Sequence, residues 1–253
     1  ARRRASARKV ILFGRMPRCR QIVSEDTFIT QEGRLKGVPS SPLYSSPFHP
    51  SPYWDERPQL TKSGAAGDPV DLIVLHYISL PAGPFGGDAV DRLFMGTLDP
   101  DRRDWPQDPA WEPLKALKGL HVSTHFFIRR TGEVIQYVPT VNRAWHAGLS
   151  NFRGRSACNE FSVGIELEGT GEVPFAAAQY QALGELLPAI CRRHPVKWVT
   201  GREFIAPGRK SDPGPFFDWS RTAQLLPAGV ALAIDATDCD REALARRMAE
   251  HSY

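Results

Sequence analysis

Asp71-Leu-Ile-Val-Leu-His76 is a short, unbroken apolar run closed by a histidine. A run of that length with no alternation reads as a strand buried on both faces, the kind found in parallel sheets. His76 stands at its C-terminal end, where open α/β sheets place their ligands. A lone histidine ending a strand is more often structural, so its position alone does not make it a ligand. A second stretch, Phe161-Ser-Val-Gly-Ile-Glu-Leu-Glu168, alternates. It sets Phe161, Val163, Ile165 and Leu167 on one face and Ser162, Gly164, Glu166 and Glu168 on the other. Gly164 leaves room beside Glu166 for a ligand or a close-approaching backbone.

Around these strands the pattern is that of a mixed α/β domain. Val122–Arg130 and Glu133–Val138 flank Thr131-Gly132 and predict a β-hairpin. Asp88 is placed to cap a short helix over Ala89–Met95. Asp99–Gly119 is Pro-broken and polar, a surface loop with a helical turn around Leu114–Leu117. Tyr180, Leu183, Leu186, Leu187 and Ile190 recur at helical spacing between Ala176 and Arg193, an amphipathic helix that Pro188 should kink or split. Arg241–Glu250 predicts a surface helix.

Trp198–Trp219 is different in kind. Pro207, Gly208, Pro213, Gly214 and Pro215 forbid a regular helix or central strand there. What remains is a stiff loop that carries Arg202, Glu203, Arg209, Lys210 and Asp212, anchored by Ile205, Phe216, Phe217 and Trp219.

The chain has 253 residues, 42% hydrophobic and 24% charged, enough for one large domain with a real core. No apolar run is long enough for a membrane span, and Val10–Phe13 is too short for a signal-peptide core. A cytoplasmic, reducing setting is the default expectation, with Cys19, Cys158, Cys191 and Cys239 spaced for neither a zinc knuckle nor a disulfide framework. Of the positive charges, eight lie within the first twenty residues, so the net charge of +4 belongs to a tail rather than to the domain. A basic tail by itself is weak grounds for nucleic-acid binding. Residues 1–45 lack periodicity and begin with Ala1; they are expected to be a flexible or non-native basic extension, with the domain spanning 46–253. Ser51–Pro58 is expected to wrap the domain surface.

The polar inventory of His76, His121, His125, His146, Glu166, Arg202, Lys210 and Asp212 allows metal-assisted hydrolysis. A catalytic zinc needs about three protein donors and a water. His76 and Asp212 are suitable donors, Glu166 a candidate general base and Lys210 a candidate oxyanion stabiliser. No local metal motif such as HExxH is present, and the bland reading of Glu166 and Lys210 as surface charges stays open on residues alone.

Ordered motifs from about Ser51 to Trp219 carry a resemblance. They are Ser51-Pro-Tyr-Trp-Asp-Glu-Arg-Pro58, His76-Tyr-Ile-Ser-Leu-Pro81, Phe85-Gly-Gly87, Val122-Ser-Thr-His125, Ile128-Arg-Arg130, Gln136-Tyr-Val-Pro139, Arg143-Ala-Trp-His-Ala-Gly148, Cys158–Gly169 and Ile205–Pro215. In these the chain resembles the AmpD-type anhydro-N-acetylmuramoyl-L-alanine amidases, of the zinc amidase superfamily shared with peptidoglycan recognition proteins. The resemblance implies an α/β fold with a central mixed β-sheet flanked by helices. It also implies zinc as cofactor, held by two histidines and an aspartate, and an anhydro-muropeptide substrate. The reaction implied is hydrolysis of the amide between anhydro-N-acetylmuramic acid and L-alanine in cytoplasmic wall recycling. By position His76 and Asp212 become metal ligands, Glu166 and Lys210 catalytic residues, and Trp145, His146 and Tyr77 substrate contacts. A monomer with no membrane or nucleic-acid partner is expected.

One position departs. The family's other ligand histidine follows a glycine and precedes the lysine by eight residues, and here that place is Arg202. A guanidinium offers no lone pair and stays protonated, so it does not ligate zinc. His146, or His194 through a loop shift, is the candidate substitute, but metal geometry tolerates little displacement. Arg202 therefore sets a rival expectation, a member of the family that folds and binds muropeptides without cleaving them. Tyr77 is a lesser departure, standing where the family often has asparagine.

Overall fold

The computed structural model describes residues 27–37, 46–58 and 70–235. Its centre is a sheet of six strands: β1 (Leu72–Ile78), β2 (Phe126–Ile128), β3 (Val134–Gln136), β4 (Ser162–Glu168), β5 (Trp198–Gly201) and β6 (Ala231–Leu232). Their spatial order is β6-β5-β1-β4-β2-β3. All neighbours run parallel except β2 and β3, the expected hairpin, so the sheet is mixed. The two apolar stretches of the sequence are its centre, with Glu166 directly opposite His76 in the β4–β1 register. Register partners share a face, so both point to the same side of the sheet.

The opposite side is covered by α2 (Ala177–Arg193). Tyr180, Leu183, Leu186, Leu187 and Ile190 pack on Ile73, Leu75, Val163, Ile165 and Leu167. Truncating one such leucine to alanine costs about 2–5 kcal/mol. That seam outweighs the defect at Pro188, and α2 runs on through it, so the expected split does not occur. Gln179 locks the start of the helix. Its Oε1 accepts from the Ala176 backbone N–H, and its Nε2 donates to the carbonyls of Ile128 and Glu168.

The site-bearing side is covered in two parts. Phe127, Ile135 and Tyr137 meet α1 (Ala89–Phe94) and a 3-10 segment over Pro109–Leu117 that buries Leu114. Leu72 and Val74 meet Ala147, Phe152, Phe161 and Ile205 from the long connection before β4 and from α3 (Arg202–Ile205). Phe161 thus packs on the side opposite to Val163, because it precedes the strand and its backbone is not extended. Asp88 precedes α1 without capping it; its carboxylate binds the Arg92 Nε–H instead. A fourth helix, α4 (Trp219–Leu225), is capped by Asp218, which accepts from the Arg221 backbone N–H.

The expected boundary at residue 46 moves. Thr27–Ile29 and Leu35–Gly37 pair as an antiparallel hairpin that rests on α2 and β3. Arg193 donates to the carbonyls of Thr30 and Gln31, and Gln136 both accepts from the Leu35 N–H and donates to the Gly33 carbonyl. These are backbone partners supplied from more than a hundred residues away, which no local pattern announces. The other residues expected in the extension, and the expected helix Arg241–Glu250, lie outside the described residues.

Candidate active site

The site forms where β1, β4 and β5 end together. β1 delivers His76, β4 delivers Glu166, and β5 leads into α3 and the loop that carries Lys210 and Asp212. Gly201, last in β5, lies opposite Leu75, so Arg202 emerges beside His76. A Cβ on Gly201 would stand 2.6 Å from the Pro213 ring, which is why the loop closes down on the strand only over glycine. The Glu203 N–H donates to the Asp212 carbonyl at 2.8 Å and fastens the loop's two ends. The expected loop Trp198–Trp219 instead opens with a strand, Trp198–Gly201, and the short helix Arg202–Ile205; only 206–218, where the prolines and glycines lie, holds neither helix nor strand.

His76 is fully buried. Its Nδ1 lies 3.0 Å from Asp212 Oδ2 and 3.9 Å from Glu166 Oε1. Its Nε2 lies 3.0 Å from Nδ1 of His146. Burial holds the His76 imidazole below its usual range, with the Asp212 carboxylate opposing that shift. Burial raises Glu166 to about 8, helped by the charge on Asp212 and opposed by Arg202 and Lys210. Its Oε2 is buried with no hydrogen-bond partner among the described residues. Lys210 is held below its usual range first by the nearby Arg202 charge, then by burial. For Asp212 burial is the largest influence and acts upward, but the bond to His76 and the neighbouring positive charges prevail and hold its carboxyl low.

His76, Glu166, Lys210, Asp212 and Arg202 are therefore brought to one place. The three expected substrate contacts divide. His146 is enclosed, with one nitrogen against His76 and the other 3.3 Å from Ser162 Oγ, so it supports His76 from behind rather than meeting a ligand. The room expected beside Gly164 is filled by its ring. Tyr77 follows His76 in β1 and so points to the α2 side, where its ring packs under Gly171 and Gly214. Trp145 is half-buried and edges a run of stacked rings with Tyr53 and His121, its Nε1–H donating to Asp55.

Ser51–Pro58 does more than wrap the surface. Trp54–Glu56 pairs with Asn142–Ala144, and the Arg57 side chain runs into the interior. It donates to the carbonyls of Asn159, Glu160, Thr140 and Ser162 and approaches His125 Nε2 at 3.2 Å. Burial pulls its guanidinium down to about 9. Arg57 thereby ties the connection that carries His146 to the start of β4, a role that nothing local in the sequence signals.

The fit of zinc can be tested on these donors. Two ligands of one tetrahedral zinc stand about 3.3 Å apart, so His76 Nδ1 and Asp212 Oδ2, at 3.0 Å, are spaced nearly as one edge of such a site. The third vertex fails. Arg202 follows Gly201 there, His146 approaches the wrong nitrogen of His76, and His194 is held by Thr140 Oγ1 at 2.8 Å. Among the described residues no three His, Cys, Asp or Glu side chains gather as a metal site. As the chain stands, its residues do not fit a three-ligand zinc.

Comparison with known proteins agrees with the fold and the motifs. Residues 66–215 match the family described as N-acetylmuramoyl-L-alanine amidase. The 1,6-anhydro-N-acetylmuramyl-L-alanine amidase AmpD of Citrobacter freundii is 45% identical over 179 residues, 70% of this chain and 88% of that protein. The AmpD of Escherichia coli K12 is 46% identical, over 70% of this chain and 90% of its own length. A crystal structure of a selenomethionine AmpD derivative superposes with a TM-score of 0.64 at 45% identity, over 73% of this chain and 96% of that one. With matching motifs, sheet and loop, the chain belongs to the N-acetylmuramoyl-L-alanine amidase family.

Proposed function

We propose that this chain acts on anhydro-muropeptides, hydrolysing the amide between the lactyl group of anhydro-N-acetylmuramic acid and L-alanine. The observation that carries the reading is the meeting of Glu166, Lys210, Asp212 and His76 at the C-terminal edge of β1 and β4. Glu166 takes a proton from the attacking water and returns it to the departing amine. A carboxyl near 8 suits both tasks around neutral pH. Lys210 is exposed and faces the negative charge that develops on the amide oxygen. The half-buried Trp145, beside Tyr53 and His121, offers a flat apolar edge to the sugar. A cytoplasmic, monomeric enzyme of wall recycling, with no membrane or nucleic-acid partner, goes with this reading.

Arg202 favours a second reading for the chain as it stands, a muropeptide site with little hydrolytic rate. One experiment decides between them. The parent and Arg202→His are incubated with an anhydro-muropeptide, with and without zinc, and release of the peptide's α-amine is followed. Arg202→His should retain zinc through dialysis, by elemental analysis, and cleave at least about 100-fold faster than the parent. Adding Glu166→Gln should lower that rate by about 10²–10⁴. Equal parent and Arg202→His rates would place Arg202 away from the chemistry. Cleavage indifferent to Glu166→Gln would sink the assignment of Glu166.

A further inference from the structure

Arg202 is not a loose surface charge. It opens α3 directly after the central strand β5, and its neighbour Glu203 is tied to Asp212. One of its terminal nitrogens lies beside the Arg209 guanidinium over Gly148. Arg209 places its Nη2 on the carbonyls of Ala147 and Leu149, although its Nε is buried without a partner among the described residues. Arg202 has no such outlet. Among the described residues neither its guanidinium nor the Lys210 ammonium has a hydrogen-bond or ion-pair partner, and Arg202 Nε is buried with none. Of the two carboxyl groups at the site, Asp212 is engaged by His76 at 3.0 Å, and Glu166 approaches His76 rather than either cation.

Two unpaired cations of different geometry, held on the short helix and loop that follow β5, attract an anion. A guanidinium fork matches a carboxylate with two parallel hydrogen bonds, and an ammonium adds a point charge. In the reaction proposed above, the group that appears where the amide was is a carboxylate, on the lactyl ether of the sugar. We propose that Arg202 and Lys210 form a carboxylate receptor, so that this chain binds the lactyl carboxylate of free anhydro-N-acetylmuramic acid in preference to the corresponding amide. A metal at this place would polarise an amide oxygen; the guanidinium instead favours the hydrolysed form. This rests on the muropeptide reading of the site.

Titration calorimetry of the full chain with anhydro-N-acetylmuramic acid, its carboxamide and inorganic phosphate tests it. The acid should bind at least about tenfold more tightly than the carboxamide, a gap of about 1.4 kcal/mol. The gap should narrow with added salt. Arg202→Gln should bring the acid down to the carboxamide and leave the carboxamide unchanged. Lys210→Met, at an exposed position, should narrow the gap in part without touching the fold. Equal affinity of the parent for acid and carboxamide, a preference that survives Arg202→Gln, or phosphate binding as tightly as the acid would each overturn the receptor while leaving muropeptide binding in place. A folded parent that binds neither sugar would overturn both.

Discussion

Gly164→Ala puts the coupling between fold and site under a single methyl group. An alanine Cβ at this position would stand 2.5, 2.6 and 2.7 Å from three atoms of the His146 ring. Carbon contacts relax only near 3.5 Å, so the ring must move by about 1 Å. It has no slack. His146 is buried, with Nδ1 at 3.0 Å from His76 and Nε2 at 3.3 Å from Ser162, and the strand beneath it is the centre of the sheet. Overpacking costs about 1–3 kcal/mol, and disturbing two buried hydrogen bonds adds about 1 kcal/mol each. The expected loss is about 3–5 kcal/mol, a large part of the ~5–15 kcal/mol that holds a typical domain. Urea unfolding followed by tryptophan fluorescence would show a lowered midpoint at unchanged slope, and muropeptide binding would weaken because His76 loses its support. A variant within about 0.5 kcal/mol of the parent would refute the packing of His146 against β4.

Gly184→Ala supplies the contrast. Its Cβ would meet only the tip of Leu225 at 3.3 Å, inside α2, so the gain in helix propensity of about 1 kcal/mol should leave stability unchanged or raised in the same urea assay. Arg57→Met leaves four backbone carbonyls without their donor and should cost about 3 kcal/mol or more, read as a fall in Tm. For pH, His194 is held down to about 4, by burial first and then by Arg193 and Arg57. The folded state therefore binds fewer protons than the unfolded chain between the ordinary value of 6.5 and about 4. Its contribution is complete above 6.5 and is lost as pH falls through that window, on the order of 3 kcal/mol in all. His125 and His146 shift in the same direction for the same first cause. Unfolding free energy measured from pH 7.5 to 4.5 should fall steadily, and His194→Gln should flatten the curve; a flat parent curve would contradict the neutral, buried histidines.

Both central strands, the hairpin, α2 and the stiff loop were legible in the chain because each has a local cause. β1 and β4 follow from apolar runs, α2 from apolar residues at helical spacing, and the loop from proline and glycine. β5 was missed for the opposite reason. Trp198–Gly201 is short and lies within a stretch that Pro207 to Pro215 marks as irregular, and it is a strand because β1 and β6 pair with it. The hairpin Thr27–Gly37 is the same kind of case, held by α2 and β3.

At the site, the sequence by itself determined which side chains are present and that Arg202 offers no lone pair, since chemical type does not depend on the fold. It also determined, through ordered motifs, the family to which the chain belongs. Only the tertiary structure decided what each side chain faces. It turned His146 inward behind His76, sent Tyr77 to the opposite side of the sheet, and ran Arg57 into the interior. It also left the Arg202 guanidinium and the Lys210 ammonium without partners among the described residues. The contacts that His76 makes with Asp212 and His146 join residues 70 or more positions apart. Those distances are set by sheet order and register, and no window of sequence contains them.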